Sequence, residues 1–475
     1  MKSLLTNGIV AILASFILFS CQQKKETDKY PFLNNLDSAG KIVVGTIEVP
    51  ENHNRPDEKK IKITYAILKA RNSKSNNYPI IHFTGGPGGE SLSDITRWIH
   101  SPLRNEHDFI IFDQRGIAYS GSIPNISPAV FQILAKNLNS QDELKQMEDS
   151  IKYYQQKCIA DKINLENYTT PQNAADVGAL MSKLGYEKYN LYGESYGTRL
   201  ARFVMDRFPE KINSVVLDAP AILEENFLSF RITNFNDALE KIFVYCENDS
   251  NCHKNYPTLR KDYFDGIKAL EQNPIEASIG GQSFFINPQD AVYLLRYQLY
   301  GPDAKTSVPA FIKAIKTRDV KSINSSQQFV TAILSSGNVS MFISTERNEE
   351  YDTLKTEKDF DELYAKLPNF PAKLAFFSSI YLASKNWHTK TMSEQEKIYK
   401  PSMIPTLIFV NKYDPVTPPK NGFVFKETLQ NGKLFVLDLA GHGIGNGCEI
   451  KVIQEFVKNP AGNIDYSCLP IANNK

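Results

Sequence analysis

Asn190-Leu191-Tyr192-Gly193-Glu194-Ser195-Tyr196-Gly197-Thr198-Arg199 decides how the rest of the chain is read. The apolar run 189–192 reads as a strand and helix-forming sequence follows Ser195, so the Gly-x-Ser-x-Gly pentapeptide sits on a strand-to-helix turn. Such a turn pushes the serine hydroxyl above the sheet edge. Only residues without side chains fit beside it, where chain segments touch, and Gly193 and Gly197 meet that demand. A plain glycine-rich turn is the competing reading, and the partners found further along the chain weigh against it.

A serine hydroxyl is a poor nucleophile at neutral pH; it needs a base within hydrogen-bond reach and a carboxylate to orient that base. Two later strands end in loops that offer both. The strand expected at 406–410 runs into Asn411-Lys412-Tyr413-Asp414-Pro415-Val416-Thr417-Pro418, and the strand expected at 434–437 precedes Ala440-Gly441-His442-Gly443. Both loops leave the same edge of a parallel sheet as the serine turn, which brings Ser195, Asp414 and His442 together as nucleophile, orienting acid and base. Asp218, at the end of its own strand, is the minority option for the acid, and Asp438 lies within a strand. His82 falls inside a strand and reads as a satisfied core residue, while His53, His100, His107, His253 and His388 lack a strand-end setting between glycines.

Thr84-Gly85-Gly86-Pro87-Gly88-Gly89 directly follows the strand expected at 79–83. The usual donors to an oxyanion are a backbone N–H from such a loop and one from the residue after the nucleophile, which selects Gly86 and Tyr196. An ordinary loop or a phosphate cradle would use glycines too, but no Walker lysine follows.

Further strands are expected at 41–49, 61–68, 108–112 and 214–217, with helices at 141–159 and 172–184. This alternation predicts the α/β class, with a mostly parallel central sheet flanked by helices. Between Pro220 and about Lys400 the strand rhythm disappears into helical patterns rich in Phe, Tyr and Leu, which reads as an inserted helical cap. One helix start is well marked there: Asn287 as cap, Pro288 in the first turn, Gln289 and Asp290 at the dipole's positive end, and Gly301-Pro302 beyond the run. The 475 residues divide into a signal peptide (1–20), a tether (21–37), a catalytic domain (38–221 with 400–475) and the cap (222–399).

The 54 basic and 53 acidic side chains leave a net charge of +1 with no long single-sign block, which argues against nucleic acid as a partner. Lys2 precedes an apolar run from Gly8 to Phe19, the length of a signal-peptide core and short of a membrane span. Leu18-Phe19-Ser20-Cys21 resembles the bacterial lipobox, so Cys21 is the expected lipidation site and the only membrane attachment; an ordinary secretory signal is the alternative. Either way the chain is expected to be exported, to the cell envelope if lipidated. Removing Cys21 leaves an odd number of cysteines in a compartment where disulfides persist. The economical pairing joins Cys246 to Cys252 and Cys448 to Cys468 and leaves Cys158 free. No C-x-x-C or His-x-x-x-His spacing accompanies them, so no metal is expected, and nothing implies an organic cofactor.

Taken together, Gly-Gly-Pro-Gly, then Phe112-Asp113-Gln114-Arg115-Gly116, then Gly-Glu-Ser-Tyr-Gly-Thr, Asp-Pro-Val-Thr-Pro and Gly-His-Gly with a following cysteine resemble the prolyl aminopeptidase and tripeptidyl aminopeptidase branch of the α/β-hydrolases. The resemblance runs from about Lys41 to Cys468, apart from most of the insertion. It implies an α/β-hydrolase fold with a helical cap, and peptide substrates cut near a free N-terminus to release proline, dipeptides or tripeptides. It assigns the triad to Ser195, Asp414 and His442 and the oxyanion hole to Gly86 and Tyr196. Asp113 and Arg115 are implied to hold loops beneath the site, as an ion pair or by backbone hydrogen bonds. Thr84 departs from the histidine that prolyl aminopeptidases show before the glycines, which leaves the substrate more open than the reaction. Family members meet the substrate's ammonium with cap carboxylates. Glu224 and Glu225 are the candidates, although a solvated helix start is the stronger reading of two such glutamates, and Glu194 reads as a buried scaffold residue. A carboxylesterase or lipase using the same triad, and a non-catalytic peptide-binding lipoprotein, are the other functions that this sequence allows.

Overall fold

The computed structural model describes residues 42–472 except 122, 224–226, 327–336, 350–353, 355, 372–375, 388 and 446, together with Tyr30 and Leu33. The signal peptide, Cys21, most of the tether, Glu224 and Glu225 lie outside the described residues. Among those described, no helix is long and apolar enough to cross a membrane.

Eight strands form one sheet: β1 (Ile42–Pro50), β2 (Lys60–Leu68), β3 (Ile80–Phe83), β4 (Phe109–Phe112), β5 (Tyr189–Glu194), β6 (Ile212–Asp218), β9 (Thr406–Asn411) and β10 (Gly432–Leu437). Their order is β1-β2-β4-β3-β5-β6-β9-β10. The pairings of β1 with β2 and of β2 with β4 are antiparallel, and the rest are parallel. The inner strands are buried along nearly their whole length, as in Ile-Ile-His-Phe of β3 and Thr-Leu-Ile-Phe-Val-Asn of β9. Continuous apolar runs are what a parallel sheet covered on both faces requires. One face packs Ile81, Phe83, Leu191 and Leu217 on the helices that carry Val177 and Leu200, and the other packs Ile80, Val216 and Phe409 against Trp98 and Ile453.

The helix starts are chemically marked. Thr169 accepts a hydrogen bond from Gln172 N–H and Pro171 lies in the first turn of helix Thr170–Lys183. Asn287 and Asp290 cap each other reciprocally at helix Pro288–Gln298.

The segment expected to be all helical also holds an antiparallel hairpin, β7 (Ile275–Ile279) and β8 (Gln282–Ile286). Gly280 and Gly281, at φ 61° and 78°, make its turn. The signal was present, because Ile-Glu-Ala-Ser-Ile alternates buried and exposed before Gly-Gly, but the surrounding aromatic-rich helices masked it. The third hydrophobic cluster joins cap residues such as Phe235, Leu294 and Phe360 to Val130, Leu134, Met147 and Ile151. Helices Ser127–Leu134 and Ser140–Ala160, which precede Ser195 in sequence, therefore pack with the cap helices. Cys246–Cys252 and Cys448–Cys468 form disulfides, and Cys158 is free and buried. Burial pushes its thiol up to about 11, away from reactivity.

Candidate active site

Ser195 stands between β5 and helix Tyr196–Arg207 at φ 53°, ψ −123°. A non-glycine residue there costs about 1–3 kcal/mol and persists only where the surroundings impose it. They do so tightly: a Cβ on Gly193 would lie 2.4 Å from the Gly197 carbonyl oxygen, and one on Gly197 would lie 2.0 Å from that of Phe83. Ser195 N–H donates to Asp218 O at 2.8 Å, which pins the turn to the end of β6.

His442 Nδ1 lies 2.8 Å from Asp414 Oδ2. Asp414 also accepts from Val416 N–H and Thr417 N–H on Oδ1, at 2.7 and 2.9 Å, and from the Thr417 hydroxyl on Oδ2 at 2.8 Å. Burial alone would raise this carboxyl; the histidine and the donors outweigh it and hold it below its usual range. Asn411 Nδ2 donates to Gly441 O and Gly443 O and so fixes the histidine loop from the end of β9. From the cap side, Tyr300 accepts from His442 N–H at 3.0 Å, and its ring meets the imidazole edge-on at 5.3 Å. Asp218, the alternative acid, accepts instead from Ile444 N–H, at 3.1 Å. Burial and the nearby Glu194 charge push it well above the usual carboxylate range.

The glycine loop presses on the serine turn: a Cβ on Gly85 would lie 2.9 Å from Ser195 Cβ. Among the described residues, neither the Gly86 N–H nor the Tyr196 N–H donates to a protein acceptor, and both residues border the space beside Ser195. Two unused donors flanking a serine hydroxyl are what a developing oxyanion would require.

Ser195 and His442 line one cavity of about 410 Å3 under the cap. Its walls are largely apolar and include Val130, Val339, Phe342 and Ile380. A smaller chamber of about 20 Å3 adjoins Ser195 and is bordered by Arg199, Arg231 and Glu346. Glu346, on helix Val339–Glu349, lies 3.9 Å from each arginine. Sequence reading missed Tyr300, Arg231 and Glu346. No motif marks them, and only the packing of the cap turns them toward the serine.

The remaining sequence expectations resolve individually. Asp113 accepts from the N–H groups of Ser91, Leu92 and Tyr119. Arg115 pairs with Asp176 through two bonds of 2.7 and 2.8 Å and donates to Glu51 O and Asn167 O. The two thus hold loops through backbone groups, and the arginine's acid is Asp176. Glu194 is clamped by Arg97 at 2.5 and 2.8 Å, with His82 Nε2 at 3.3 Å. Burial would raise its carboxyl, but Arg97 and then His82 hold it at about 2. His82 is buried against Trp98. The sequence leads one to expect a satisfied core residue, yet neither ring nitrogen makes an aligned hydrogen bond. Among the described residues, no cluster of metal-ligating side chains occurs.

A family model described as the alpha/beta hydrolase fold matches residues 78–256, and one described as TAP-like protein matches residues 375–468. The tripeptidyl aminopeptidase of Streptomyces lividans is 27% identical over 190 residues, which are 38% of this chain and 35% of that protein. This chain thus matches about a third of that relative's length. The serine protease Hip1 of Mycobacterium tuberculosis is 20% identical over 453 residues, 88% of this chain and 84% of that protein. A solved structure, the proline iminopeptidase of Mycobacterium smegmatis, aligns over 87% of this chain and 97% of its own at 12% identity, with a TM-score of 0.40.

Proposed function

This chain has an α/β-hydrolase fold, and on that premise we propose that it is a serine peptidase releasing short peptides from free N-termini through an acyl-enzyme on Ser195. The observation that carries the reading is the His442–Asp414 bond of 2.8 Å, opening on the cavity that Ser195 lines. Asp414 fixes the imidazole with Nδ1–H toward itself, which leaves Nε2 to act as the base. Nε2 takes the Ser195 proton as Oγ attacks the carbonyl, and the Gly86 and Tyr196 N–H groups donate to the oxyanion. The imidazolium then protonates the leaving amine. Water, deprotonated by the same nitrogen, releases the acyl peptide.

The cavity is of the size that takes a small ligand, and its apolar walls suit uncharged side chains. A free-amine substrate also needs a carboxylate. Among the described residues Glu346 is the candidate: it borders the chamber beside Ser195 at 3.9 Å from Arg199 and Arg231, whereas Arg97 holds both oxygens of Glu194 at 2.5 and 2.8 Å and burial holds Asp218 toward its neutral form. The relatives' names support peptide cleavage, and the first of them supports release of tripeptides. Export with a lipid on Cys21 is part of the same proposal, and two disulfides fit an oxidising compartment.

Labelling with a fluorophosphonate, read by peptide mass mapping, tests the serine directly. Modification at Ser195 in the wild type and none in Ser195→Ala is expected. An unlabelled wild type would favour a non-catalytic binding protein, and labelling with turnover of p-nitrophenyl esters alone would favour an esterase.

A further inference from the structure

Helix Val339–Glu349 reaches both backbone donors beside Ser195, one from each of its ends. At its start, Asn338 N–H donates to Gly88 O at 2.9 Å, Gly337 pairs with Gly89, and the Asn338 amide donates to Gly116 O and Ile123 O at 3.4 and 3.2 Å. A Cβ on Gly88 would lie 2.5 Å from the Asn338 carbonyl oxygen, so the loop that carries Gly86 sits directly on the first turn of this helix.

At its other end Glu349 is fully buried. It accepts from Thr170 N–H on one oxygen and, on the other, from the Thr170 hydroxyl at 2.6 Å and Arg199 at 3.2 Å. The Thr170 hydroxyl lies 2.7 Å from the Tyr196 hydroxyl. Burial raises the Glu349 carboxyl, and Arg199 and the Thr170 donors oppose it; a threonine has one hydroxyl proton, so with that proton given to Glu349 the Tyr196 O–H donates to Thr170. Arg199, on the same helix as Tyr196, also donates to Ile222 O, and its guanidinium lies 5.6 Å from the Tyr196 ring centre. The tyrosine whose N–H faces the oxyanion is therefore held by its side chain to a cap carboxylate.

We propose that helix Val339–Glu349 is a brace setting the spacing of the two oxyanion donors, and that Glu349 is a positioning residue acting on Tyr196 through Thr170. The inference rests on the oxyanion role given above to Gly86 and Tyr196. An α-helix is a stiff rod, and preorganised donors lose effect with small displacements. The brace therefore makes catalysis depend on a cap that contributes no reacting group through this helix.

A double-mutant cycle on the full chain tests this, with Glu349→Gln, Tyr196→Phe and the pair. Each protein is read by melting temperature, by kcat and KM on a free-amine tripeptide p-nitroanilide, and by the rate of Ser195 phosphonylation with an alkyl fluorophosphonate. Each single variant is expected to lower kcat and phosphonylation about tenfold, less than the roughly 10²-fold loss on removing a donor outright, with KM within about twofold. The pair should be no slower than the worse single variant. Thr170→Ser, which keeps the relay hydroxyl, should retain activity, and Thr170→Val should behave as Glu349→Gln does; these two carry the test if Glu349→Gln does not fold. Multiplying effects, a change in KM alone, or wild-type phosphonylation of Glu349→Gln would overturn the brace. A wild type inert to the fluorophosphonate is a different result, which overturns the serine-hydrolase reading itself.

Discussion

On the sheet side of the cavity Ser195, Asp414 and His442 each stand beyond a strand; Ser195 and Asp414 are fixed by neighbours in sequence, the flanking glycines and Val416 with Thr417, and the His442 loop by Asn411 at the end of the adjoining strand. On the cap side Arg231 on helix Phe227–Asn248, Tyr300 just past helix Pro288–Gln298, and Phe342 and Glu346 on helix Val339–Glu349 meet only because those segments pack together. The charges differ too. Glu194, at the sheet edge, is clamped by Arg97 and held at about 2. Glu143, beneath the cap, is bonded to Gln289 and to Ser379 and is pushed up to about 7 by burial. Asp290, whose own pKa is raised by burial and then by the Glu143 charge, lies nearby. No lysine or arginine pairs with either cap carboxyl among the described residues. On the proposed reading chemistry belongs to the sheet edge and substrate choice to the cap, and each side can be broken separately.

The largest effect is expected on the sheet side. Asp414→Asn should lower kcat by about 10⁴-fold with little change in KM, because the amide supports the wrong imidazole tautomer. A loss below about tenfold, measured by steady-state kinetics, would hand the orienting role to another acid. On the cap side, Glu346→Gln should lower kcat/KM for free-amine peptides by about tenfold, the loss of one charge-assisted contact, and leave a small ester substrate unaffected. Equal losses on both substrates would make Glu346 a structural residue.

Smaller effects concern stability, and their signs are opposite. Glu143 binds its proton more tightly in the folded chain, at about 7 against the ordinary 4.5. Its penalty is therefore absent below about 4.5 and grows as pH rises toward 7. Glu143→Gln should gain roughly 1–3 kcal/mol relative to wild type between those limits, read by urea unfolding at pH 4.5 and 7.5. Glu194 is depressed from 4.5 to about 2, so its contribution is present above 4.5 and lost as pH falls toward 2. Arg97→Gln should lower stability at pH 6 and flatten that acid-side decline. The expected change is under about 1 kcal/mol, because the guanidinium is 41% exposed and water screens it. Parallel pH profiles for the two variants would contradict the contrast.

The same contrast explains what could be read from the chain alone. The strand-to-helix turn at Ser195 leaves a local signature because sterics at Gly193 and Gly197 forbid side chains, and the strand-end loops carry Asp414 and His442 within recognisable short motifs. Glu349 left none. Its partners Thr170 and Arg199 lie far off in sequence, and a glutamate near the end of an amphipathic helix reads as solvated until the packing buries it. Arg115 shows an intermediate case: its burial could be guessed from the motif, but its partner Asp176, on helix Thr170–Lys183, could not. The β7–β8 hairpin was legible in its alternation and its Gly-Gly turn but was submerged in helical surroundings. Residues 127–160 fall in the span 38–221 expected for the catalytic domain, whereas the apolar faces of helices Ser127–Leu134 and Ser140–Ala160 pack with the cap.

The central claim is that Ser195 cuts peptides whose N-terminus is free. Hydrolysis of a tripeptide p-nitroanilide should be measured beside its N-acetylated twin, with wild type and Ser195→Ala. The account predicts turnover of the free-amine substrate by wild type, at least tenfold slower turnover of the acetylated one, and loss of both by about 10³-fold or more in the variant. Equal rates in the variant, or faster cleavage of the acetylated peptide, would contradict it.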